Sequence, residues 1–425
     1  MNDLSASGHD TLSPAVLRAN GARLLDSLHA MARIGATPAG GVCRLALSET
    51  DRLGRDCFAD WCRTAGMSVS TDEIGNLYAR RAARNAALPP VLVGSHLDSQ
   101  PQGGRFDGVF GVLAALEVVR SLNDLHIETE RAIEIVSWTN EEGARFSPAM
   151  MGSAVFTGDM SLSDALAACD RDGVSVAAAL DAIGARGTRR AAAQPIDAYF
   201  EAHIEQGPIL EAEALQIGVV SGGQAIRWFD IEVTGVAAHA GTTPVAMRRD
   251  ALFACATLIA RIEAALGRRQ PQALATIGEI GLSHGSYNTI PACVRFTLDL
   301  RHPDDAAIAD FEAEVRTLCE ALARERGVRV AIEPVWVSPA TPFDPACVEL
   351  VEAATRELGY SHRRMVSGAG HDAIQIARHH PTAMVFIPCV GGLSHNEAED
   401  VLPDDACRGV DVLLNAVARR AMRPA

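Results

Sequence analysis

The sequence predicts an α/β protein in which a larger domain with a mostly parallel central sheet carries a smaller α+β domain as an insertion. The length of 425 residues exceeds what a single hydrophobic core usually supports. Strand, helix and strand patterns alternate in the first third of the chain, and this order is typical of a parallel sheet. Near residue 223 the pattern changes to strands that alternate apolar and polar residues, which indicates a second domain.

The larger domain begins with helical patterns and then alternates strands with helices. Apolar periodicity predicts helices over residues 13–34, 50–65 and 108–122. Apolar runs predict buried strands over residues 91–99 and 132–138, on either side of the third helix. Because such folds bind ligands beyond the carboxyl ends of their strands, we expect functional residues directly after these two strands.

The insertion is predicted to span residues 223–335. After its first alternating strand, the pattern predicts helices over 250–266 and 304–326 and strands over 273–280, 294–300 and 328–336. The apolar segment 382–389 then returns to the α/β pattern. The larger domain therefore comprises residues 1–222 and 336–425, of which 160–194 are Ala-rich and predict peripheral helices.

Composition excludes several classes of function. The net charge is −15 and there is no long basic run, which argues against nucleic acid or an anionic membrane as a partner. All 38 basic residues are arginine, so a lysine Schiff base, a pyridoxal phosphate anchor and a Walker A lysine are excluded. The 10 cysteines are scattered, and no N-terminal leader pattern or bilayer-length apolar run is present. We therefore expect a cytoplasmic protein.

The first candidate site follows the strand at 91–99. His96 and Asp98 are two residues apart on a predicted strand, so their side chains point the same way and Asp98 can accept the imidazole N–H, as partners of metal-bound histidines do. Gly103 and Gly104 allow a tight turn that returns Asp107 to the same edge, where its carboxylate could bridge two cations. The alternative is structural, with Asp107 as a helix N-cap. The occurrence of His96, Asp98 and Asp107 together in one motif favours a metal site.

Three further segments carry candidate ligands. Glu141 and Glu142 directly follow the strand at 132–138, and two acids at the edge of an apolar core are costly unless a positive charge lies near. Neighbours on an extended segment point apart, so one can bind a cation while the other faces a water molecule. His203 lies between two glutamates, and His395 follows an apolar strand and a glycine pair. Imidazoles and carboxylates together suit zinc, manganese or a similar divalent ion.

Two other patterns match motifs of different chemistry. Residues 281–285 match the nucleophile elbow of serine hydrolases around Ser283, but no helix pattern follows and the segment lies in the insertion. Residues 368–373 match a dinucleotide-binding glycine pattern, but no acid occurs about twenty residues later. A serine hydrolase stays as an alternative, and a nicotinamide site is not expected.

Taken together, these motifs resemble the M20-type metallopeptidase and amidase family, in particular its branch of N-carbamoyl-L-amino acid hydrolases, β-ureidopropionases and allantoate amidohydrolases. The resemblance covers nearly the whole chain. It is carried by GSHLDSQPQGGRFDG, TNEEGARF, EAHIEQGP, VAAHAGTTPVAMRRDA, SYNTIP, DLRHP, GAGHDA and IPCVGGLSHNEAED. Within this family, HIEQGP is the feature that separates the ureido-hydrolysing branch from the peptidases. The departures, Val245 and Glu397, do not touch a proposed ligand.

The resemblance implies roles for individual residues. His96 and His203 would be terminal ligands of one metal, Asp107 the bridge, and Glu142 and His395 ligands of the other. Glu141 would be the general base and Asp98 a partner of the metal-bound imidazole. His239 would polarise the scissile carbonyl. The residues that would hold the substrate's carboxylate and ureido groups are Gln206, Asn288, Arg301 and His371.

The activity that the resemblance implies is hydrolysis of the N-carbamoyl group of an N-carbamoyl-L-amino acid, which yields the amino acid, ammonia and carbon dioxide. Two divalent ions per subunit, Zn²⁺ or Mn²⁺ with Co²⁺ or Ni²⁺ as further options, would activate a water molecule. A homodimer is expected, with the insertion as a lid and dimerisation domain. Allantoate or β-ureidopropionate hydrolysis, a peptidase or aminoacylase, and a catalytically inactive binding protein stay as alternatives.

Overall fold

The structure, a computed structural model, describes residues 16–283 and 285–424, and it confirms the predicted α/β fold class. The chain divides into two compact units. The first ends at Ser221, resumes over Phe343–Met365 and continues from Ala369. The second comprises Gly222–Pro342 and Val366–Gly368. The predicted insertion limit at 335 falls inside a strand that continues to Ser338.

The helices are numbered in chain order. They are α1 (Gly21–Ala32), α2 (Glu49–Thr64), α3 (Val109–Asp124), α4 (Met151–Thr157), α5 (Leu162–Ala167), α6 (Val176–Ala182), α7 (Ile209–Ala212), α8 (Ala251–Gly267), α9 (Asp305–Arg326), α10 (Pro345–Glu357), α11 (Asp372–Ala377) and α12 (Pro403–Ala421). No helix in the described part of the chain is long and apolar enough to cross a membrane.

The strands are numbered in the same way. They are β1 (Ser68–Thr71), β2 (Leu77–Arg81), β3 (Val91–His96), β4 (Ile133–Trp138), β5 (Ala198–Ile204), β6 (Ile217–Gly223), β7 (Ala225–Thr234), β8 (Ala238–His239), β9 (Leu274–Thr276), β10 (Ile280–Ser283), β11 (Thr289–Ile290), β12 (Cys293–His302), β13 (Arg329–Ser338), β14 (Thr341–Pro342), β15 (His362–Ser367) and β16 (Thr382–Ile387).

A large sheet organises the first unit. Its strands follow the order β1-β2-β4-β3-β5-β16-β6-β14, and β15 pairs with β6. The four central strands β4, β3, β5 and β16 are parallel, whereas the outer pairs are antiparallel. Every residue of these four strands is buried, as expected for parallel strands covered on both faces. Helix α3 packs against β3 and β5, and α12 packs against α3 and β16.

The second unit has its own sheet and core. Its five-stranded sheet follows the order β10-β12-β7-β13, with β9 also paired to β12. Helices α8 and α9 pack together and cover one face of the sheet with apolar side chains. The short pair β8 and β11 forms a separate two-stranded sheet. The opposite face of β7 and β12 is half-exposed, because residues alternate along each strand.

Three predicted elements differ from the structure. The helix predicted over 13–34 begins at Gly21, since the N–H groups of Leu17 and Ala19 donate to side chains of α12; residues 13–15 lie outside the described part. The strand predicted over 91–99 ends at His96, and residues 97–100 have no regular secondary structure. The strand predicted over 273–280 is two short strands, β9 and β10, separated opposite Thr297, whose hydroxyl accepts the N–H of Glu279.

Candidate metal centre

The predicted ligands lie at the carboxyl ends of the four parallel strands. His96 is the last residue of β3, and His203 is the penultimate residue of β5. Glu141 and Glu142 follow β4 closely, and His395 lies in the loop after β16. Because the carboxyl ends of parallel strands meet at one edge of a sheet, segments far apart in sequence come together there. This is the edge at which sequence analysis placed the functional residues.

The first group of side chains consists of His96, Asp107 and His203. Their potential ligand atoms lie within 4.8 Å of one another, and all three residues are buried. Nε2 of His203 lies 3.2 Å from Oδ1 of Asp107, and Nε2 of His96 lies 3.7 Å from the same oxygen. The other ring nitrogens face backbone carbonyls, with Nδ1 of His203 3.0 Å from O of Ile204. Both Nε2 atoms are therefore directed at the same carboxylate oxygen.

The second group consists of Asp107, Glu142 and His395. Nε2 of His395 lies 3.4 Å from Oδ2 of Asp107 and 3.4 Å from Oε2 of Glu142. Potential ligand atoms of this group also lie within 4.8 Å of one another. Asp107 thus belongs to both groups, with Oδ1 facing the first and Oδ2 facing the second. A carboxylate placed in this way can bridge two cations.

The predicted role of Asp98 needs a correction. Nδ1 of His96 lies 2.9 Å from the backbone oxygen of Asp98, whereas the nearest carboxylate oxygen is 3.9 Å away. The predicted bond to the carboxylate is not formed because β3 ends at His96 and the two residues no longer alternate as on a strand. The Asp98 carboxylate instead accepts the N–H groups of Glu141, at 3.3 Å, and Glu142, at 3.2 Å. Asp98 therefore shapes the loop after β4.

Glu141 is buried beside the first group. Its Oε2 atom lies 3.4 Å from Nε2 of His96. Burial raises the pKa of Glu141 well above its ordinary value, and the charges of Asp372, Glu142, Asp98 and Asp107 raise it further. A carboxyl group with a raised pKa is a suitable acceptor and donor of protons near neutral pH.

The electrostatics of the cluster fit bound cations. Burial and the charge of Asp107 raise the pKa of Glu142 well above its ordinary value, and one of its buried oxygens, Oε1, has no hydrogen-bond partner among the described residues. Burial lowers the pKa of His96 to about 4, so its imidazole is neutral, as a metal ligand must be. Buried carboxylates are costly unless a positive charge lies near them, and a bound cation would supply that charge.

One residue that shapes the cluster is not among those predicted from the sequence. Glu399 is fully buried, and its Oε1 accepts the N–H groups of Phe106, at 2.9 Å, and Asp107, at 3.1 Å. Its Oε2 accepts the hydroxyl of Ser394 at 3.0 Å. A Cβ added to Gly104 would lie 1.9 Å from the Glu399 carboxyl carbon, so glycine is required there. In the sequence, Glu399 is recognisable only as part of the NEAED motif, because the backbone groups that it binds lie almost three hundred residues away.

Two of the predicted substrate-binding residues lie in the first unit beside the ligands. Nε2 of Gln206 donates to Oδ2 of Asp107 at 3.1 Å, and its buried Oε1 has no partner among the described residues. The ring of His371 lies 4.5 Å, centroid to centroid, from that of His203. His371 also groups with Glu201 and His203 at ligand distances, and its buried Nε2 has no partner in the described residues. Both residues thus present an unpaired polar atom.

Three residues at the site have left-handed backbone conformations. The φ angles of Asn140, Gln206 and His395 are 54°, 58° and 51°. For residues other than glycine such conformations cost roughly 1 to 3 kcal/mol and occur mainly at functional sites. Asn140 is held by its own side chain, which donates to the carbonyl oxygens of Phe146 and Pro148. The three residues lie in the segments that follow β4, β5 and β16, which also carry candidate ligands.

The other predicted residues lie in the second unit. His239 is on β8, directly opposite Thr289 of β11, and Asn288 immediately precedes that strand. The backbone oxygen of Asn288 accepts the N–H of Ala240 at 2.8 Å, so the two predicted residues lie on the same small sheet. Arg301 lies at the end of β12. Ser283, the alternative nucleophile, is the exposed last residue of β10 and is not followed by a helix.

A mixed α/β unit with histidine and carboxylate groups at its strand ends, joined to a second sheet-containing unit, is the architecture of a class of C–N hydrolases. The chain belongs to peptidase family M20/M25/M40, whose sequence profile matches residues 92–419. It is 47% identical to an N-carbamoyl-L-amino-acid amidohydrolase from Rhizobium meliloti, over 95% of this chain and 97% of that protein. It is 34% identical to the allantoate amidohydrolase of Escherichia coli, over 91% and 95% of the two chains.

Solved structures agree with this assignment. A hydantoinase/carbamoylase family amidase from Burkholderia ambifaria is 61% identical, covers 96% of this chain and 98% of its own, and superposes with a TM-score of 0.92. A likeness at this level extends over both compact units.

Proposed function

We propose that the protein is a metal-dependent amidohydrolase that removes the N-carbamoyl group from N-carbamoyl-L-amino acids, with release of the amino acid, ammonia and carbon dioxide. The observation that carries this proposal is the carboxylate of Asp107, whose two oxygens face two separate groups of candidate ligands. The amidohydrolase from Rhizobium meliloti, similar over nearly its whole length, supports the substrate class.

The five candidate ligands would hold two divalent cations. His96 and His203 would bind one, Glu142 and His395 the other, and Asp107 both. Bound there, Zn²⁺ or Mn²⁺, with Co²⁺ or Ni²⁺ as further options, would supply the positive charge that lowers the pKa of a water molecule toward neutrality. The neutral imidazole of His96 supports this assignment, as does Oε1 of Glu142, which has no hydrogen-bond partner in the part of the chain that the structure describes.

Glu141 is proposed as the general base and acid. Its carboxylate takes a proton from the attacking water, whose oxygen forms a bond to the ureido carbonyl carbon. The bond from that carbon to the amino-acid nitrogen then breaks, and Glu141 returns the proton to this nitrogen. The carbamate that leaves decomposes to ammonia and carbon dioxide. Its buried position and raised pKa support the ability of Glu141 to hold the proton between these steps.

The remaining predicted residues are proposed to bind the substrate. Gln206 and His371 each present, beside the ligands, a polar atom that has no partner among the described residues, which suits hydrogen bonds to the ureido group. Asn288 and Arg301 are proposed to bind the substrate's polar groups, with Arg301 on the carboxylate because its planar fork can pair both oxygens. His239 is proposed to polarise the scissile carbonyl oxygen. We also propose a cytoplasmic homodimer in which residues 223–335 act as lid and dimerisation domain.

Allantoate is the second candidate substrate, favoured by the similarity to the allantoate amidohydrolase of Escherichia coli. Allantoate also carries a carboxylate and ureido groups, so the same residues could bind it. The two candidates differ in the number of ureido groups and in the bulk next to the carboxylate.

The test is ammonia release by protein that has been stripped of metal and then given Zn²⁺, Mn²⁺, Co²⁺ or Ni²⁺. Substrates are several N-carbamoyl-L-amino acids, one N-carbamoyl-D-amino acid, N-carbamoyl-β-alanine, allantoate and a dipeptide. The proposal expects the highest kcat/KM on an N-carbamoyl-L-amino acid, with activity that depends on added metal. Faster turnover of allantoate would favour the second candidate, and activity on the dipeptide alone would contradict both.

A further inference from the structure

We propose that Asp299 is a positioning residue for Arg301: it fixes the guanidinium so that the remaining N–H groups form a fork for the substrate's carboxylate. This inference rests on the proposed function, because it assumes that Arg301 binds that carboxylate. Asp299 itself would not touch the substrate.

Asp299 and Arg301 both lie on β12. Asp299 and Arg301 are two residues apart on the same strand, so their side chains lie on the same face of the sheet. Nε of Arg301 lies 3.1 Å from Oδ1 and 3.0 Å from Oδ2 of Asp299, and Nη2 lies 2.7 Å from Oδ2. The carboxylate therefore covers the side of the guanidinium that consists of Nε and Nη2.

A second contact fixes the remaining nitrogen. Nη1 of Arg301 donates to the backbone oxygen of Gly368 at 2.6 Å. The same oxygen lies 3.3 Å from Nε2 of Gln224, so this acceptor is itself held in place. With all three nitrogens engaged, the plane of the guanidinium is determined by the second unit alone. A side chain held in this way loses less conformational entropy when a ligand binds.

The number of hydrogens shows what is left for a ligand. A guanidinium has five N–H groups, one on Nε and two on each terminal nitrogen. Asp299 takes the hydrogen of Nε and one of Nη2, and Gly368 takes one of Nη1. One hydrogen on Nη1 and one on Nη2 are left for another acceptor. Two N–H groups on adjacent terminal nitrogens match the two oxygens of a carboxylate.

The opposite interpretation is that Asp299 competes with the substrate. The side chains of Asp299 and Arg301 are each about a quarter exposed, so a substrate carboxylate can reach the pair. In this interpretation the substrate would have to displace the Asp299 carboxylate from Arg301. The two interpretations predict opposite changes in kcat/KM for a carboxylate substrate when Asp299 is removed. If Asp299 competes, its removal frees the arginine and improves use of a carboxylate substrate. If it positions Arg301, removal makes that substrate worse.

The experiment compares Asp299→Asn and Asp299→Ala with the native protein on an N-carbamoyl-L-amino acid and on its neutral amide analogue. We expect kcat/KM for the acid to fall about 10-fold in Asp299→Ala, mainly through KM, and less in Asp299→Asn, which keeps one acceptor. The amide should change less than about 2-fold, which also shows that the variants are folded. Asp230→Asn is the matched control, because Asp230 lies on the same face of the sheet opposite Thr297.

A double-mutant cycle with Arg301→Lys completes the test. Because a lysine cannot present the fork, adding Asp299→Ala to Arg301→Lys should cost little more, so the two effects should not be additive. Binding of the product amino acid, measured by calorimetry, should weaken in Asp299→Ala without any turnover being needed. An improved kcat/KM for the acid, equal losses on acid and amide, or additive effects would overturn the inference. Failure of the proposed function would appear separately, as native protein that does not hydrolyse the acid at all, and the inference would then fall with it.

Discussion

The backbone nitrogen of Asp107 donates a hydrogen bond of 3.1 Å to Oε1 of Glu399, a side chain with no exposed surface. Through Ser394, the same carboxylate is connected to the loop that carries His395. Glu399 thus ties together two loops with candidate ligands from distant parts of the sequence.

The first prediction is that Glu399→Ala lowers both metal content and thermal stability. The variant leaves the N–H groups of Phe106 and Asp107 buried without an acceptor, at about 1 to 3 kcal/mol each. Glu399→Gln keeps one oxygen as an acceptor and is the matched control, with a smaller effect. Metal analysis and a thermal melt of both variants measure this. Native metal content and an unchanged Tm in Glu399→Ala would show that the loops are held without Glu399.

The second prediction is that Asp107→Ala lowers the amount of both bound ions, because one carboxylate faces both ligand groups. The stability gained from bound metal should fall together with occupancy. Glu142→Ala is the comparison, since it belongs to one group only and should release mainly one ion. Two ions per subunit in Asp107→Ala would refute the bridging role.

The third prediction concerns the metal-stripped protein between pH 6.5 and 9. Burial lowers the pKa of His203, but the hydrogen bond and charge of Asp107 outweigh it and raise this pKa to about 9, above the ordinary 6.5. The folded state thus binds a proton in this range that the unfolded state has lost, so this contribution to stability is complete below pH 6.5 and disappears as the pH rises through 9. Burial also raises the pKa values of Asp98 and Glu399 to about 7. These two groups likewise make the folded state less stable as the pH rises.

The measurement is the Tm of metal-stripped protein at several pH values across this range. We expect the native Tm to fall with pH and the slope to be smaller in His203→Asn. The folded His96, with a pKa of about 4, is already neutral at pH 6.5, whereas its unfolded imidazole loses its proton near that pH, so His96 opposes the trend only at the lower end of the range. A Tm that rises toward pH 9 would contradict the proposed pairing of His203 with Asp107.

The fourth prediction is that Arg301→Lys lowers kcat/KM for an N-carbamoyl-L-amino acid by about 30-fold or more. Loss of a charge-assisted pairing of this kind costs roughly 2 to 5 kcal/mol, and a lysine offers charge without the two-pronged geometry. The neutral amide analogue should be a poor substrate that the variant hardly affects. If the amide suffers as much as the acid, Arg301 has a structural role instead.

Much of the site's position could be predicted from the sequence. The apolar strands before His96 and Glu141 were readable, and the rule that ligands bind beyond strand ends places both at one edge of the sheet. The partner of the His96 imidazole could not be predicted, since it depends on β3 ending at His96 and not at 99. A strand pattern does not show where strand pairing ends, and after that point the backbone carbonyl of Asp98, rather than its carboxylate, faces the His96 imidazole.

Long-range contacts explain the other gaps. Glu399 has no periodic signal, and its contacts with Phe106 and Asp107 arise only from the fold. The late start of α1 has the same origin, because side chains of α12 take the N–H groups of Leu17 and Ala19. The pairing of Asp299 with Arg301, by contrast, was accessible, since residues two apart on a strand share a face.

The most direct test of the account is Glu141→Gln, with bound metal and kcat for an N-carbamoyl-L-amino acid measured on the same preparation. Glutamine is close in shape to glutamate but cannot accept the water's proton, and general-base catalysis contributes about 10² to 10⁴ in rate. If Glu141 is the general base, the variant has native metal content and a kcat lowered by at least about 100-fold. Near-native kcat in a variant with full metal content would contradict it.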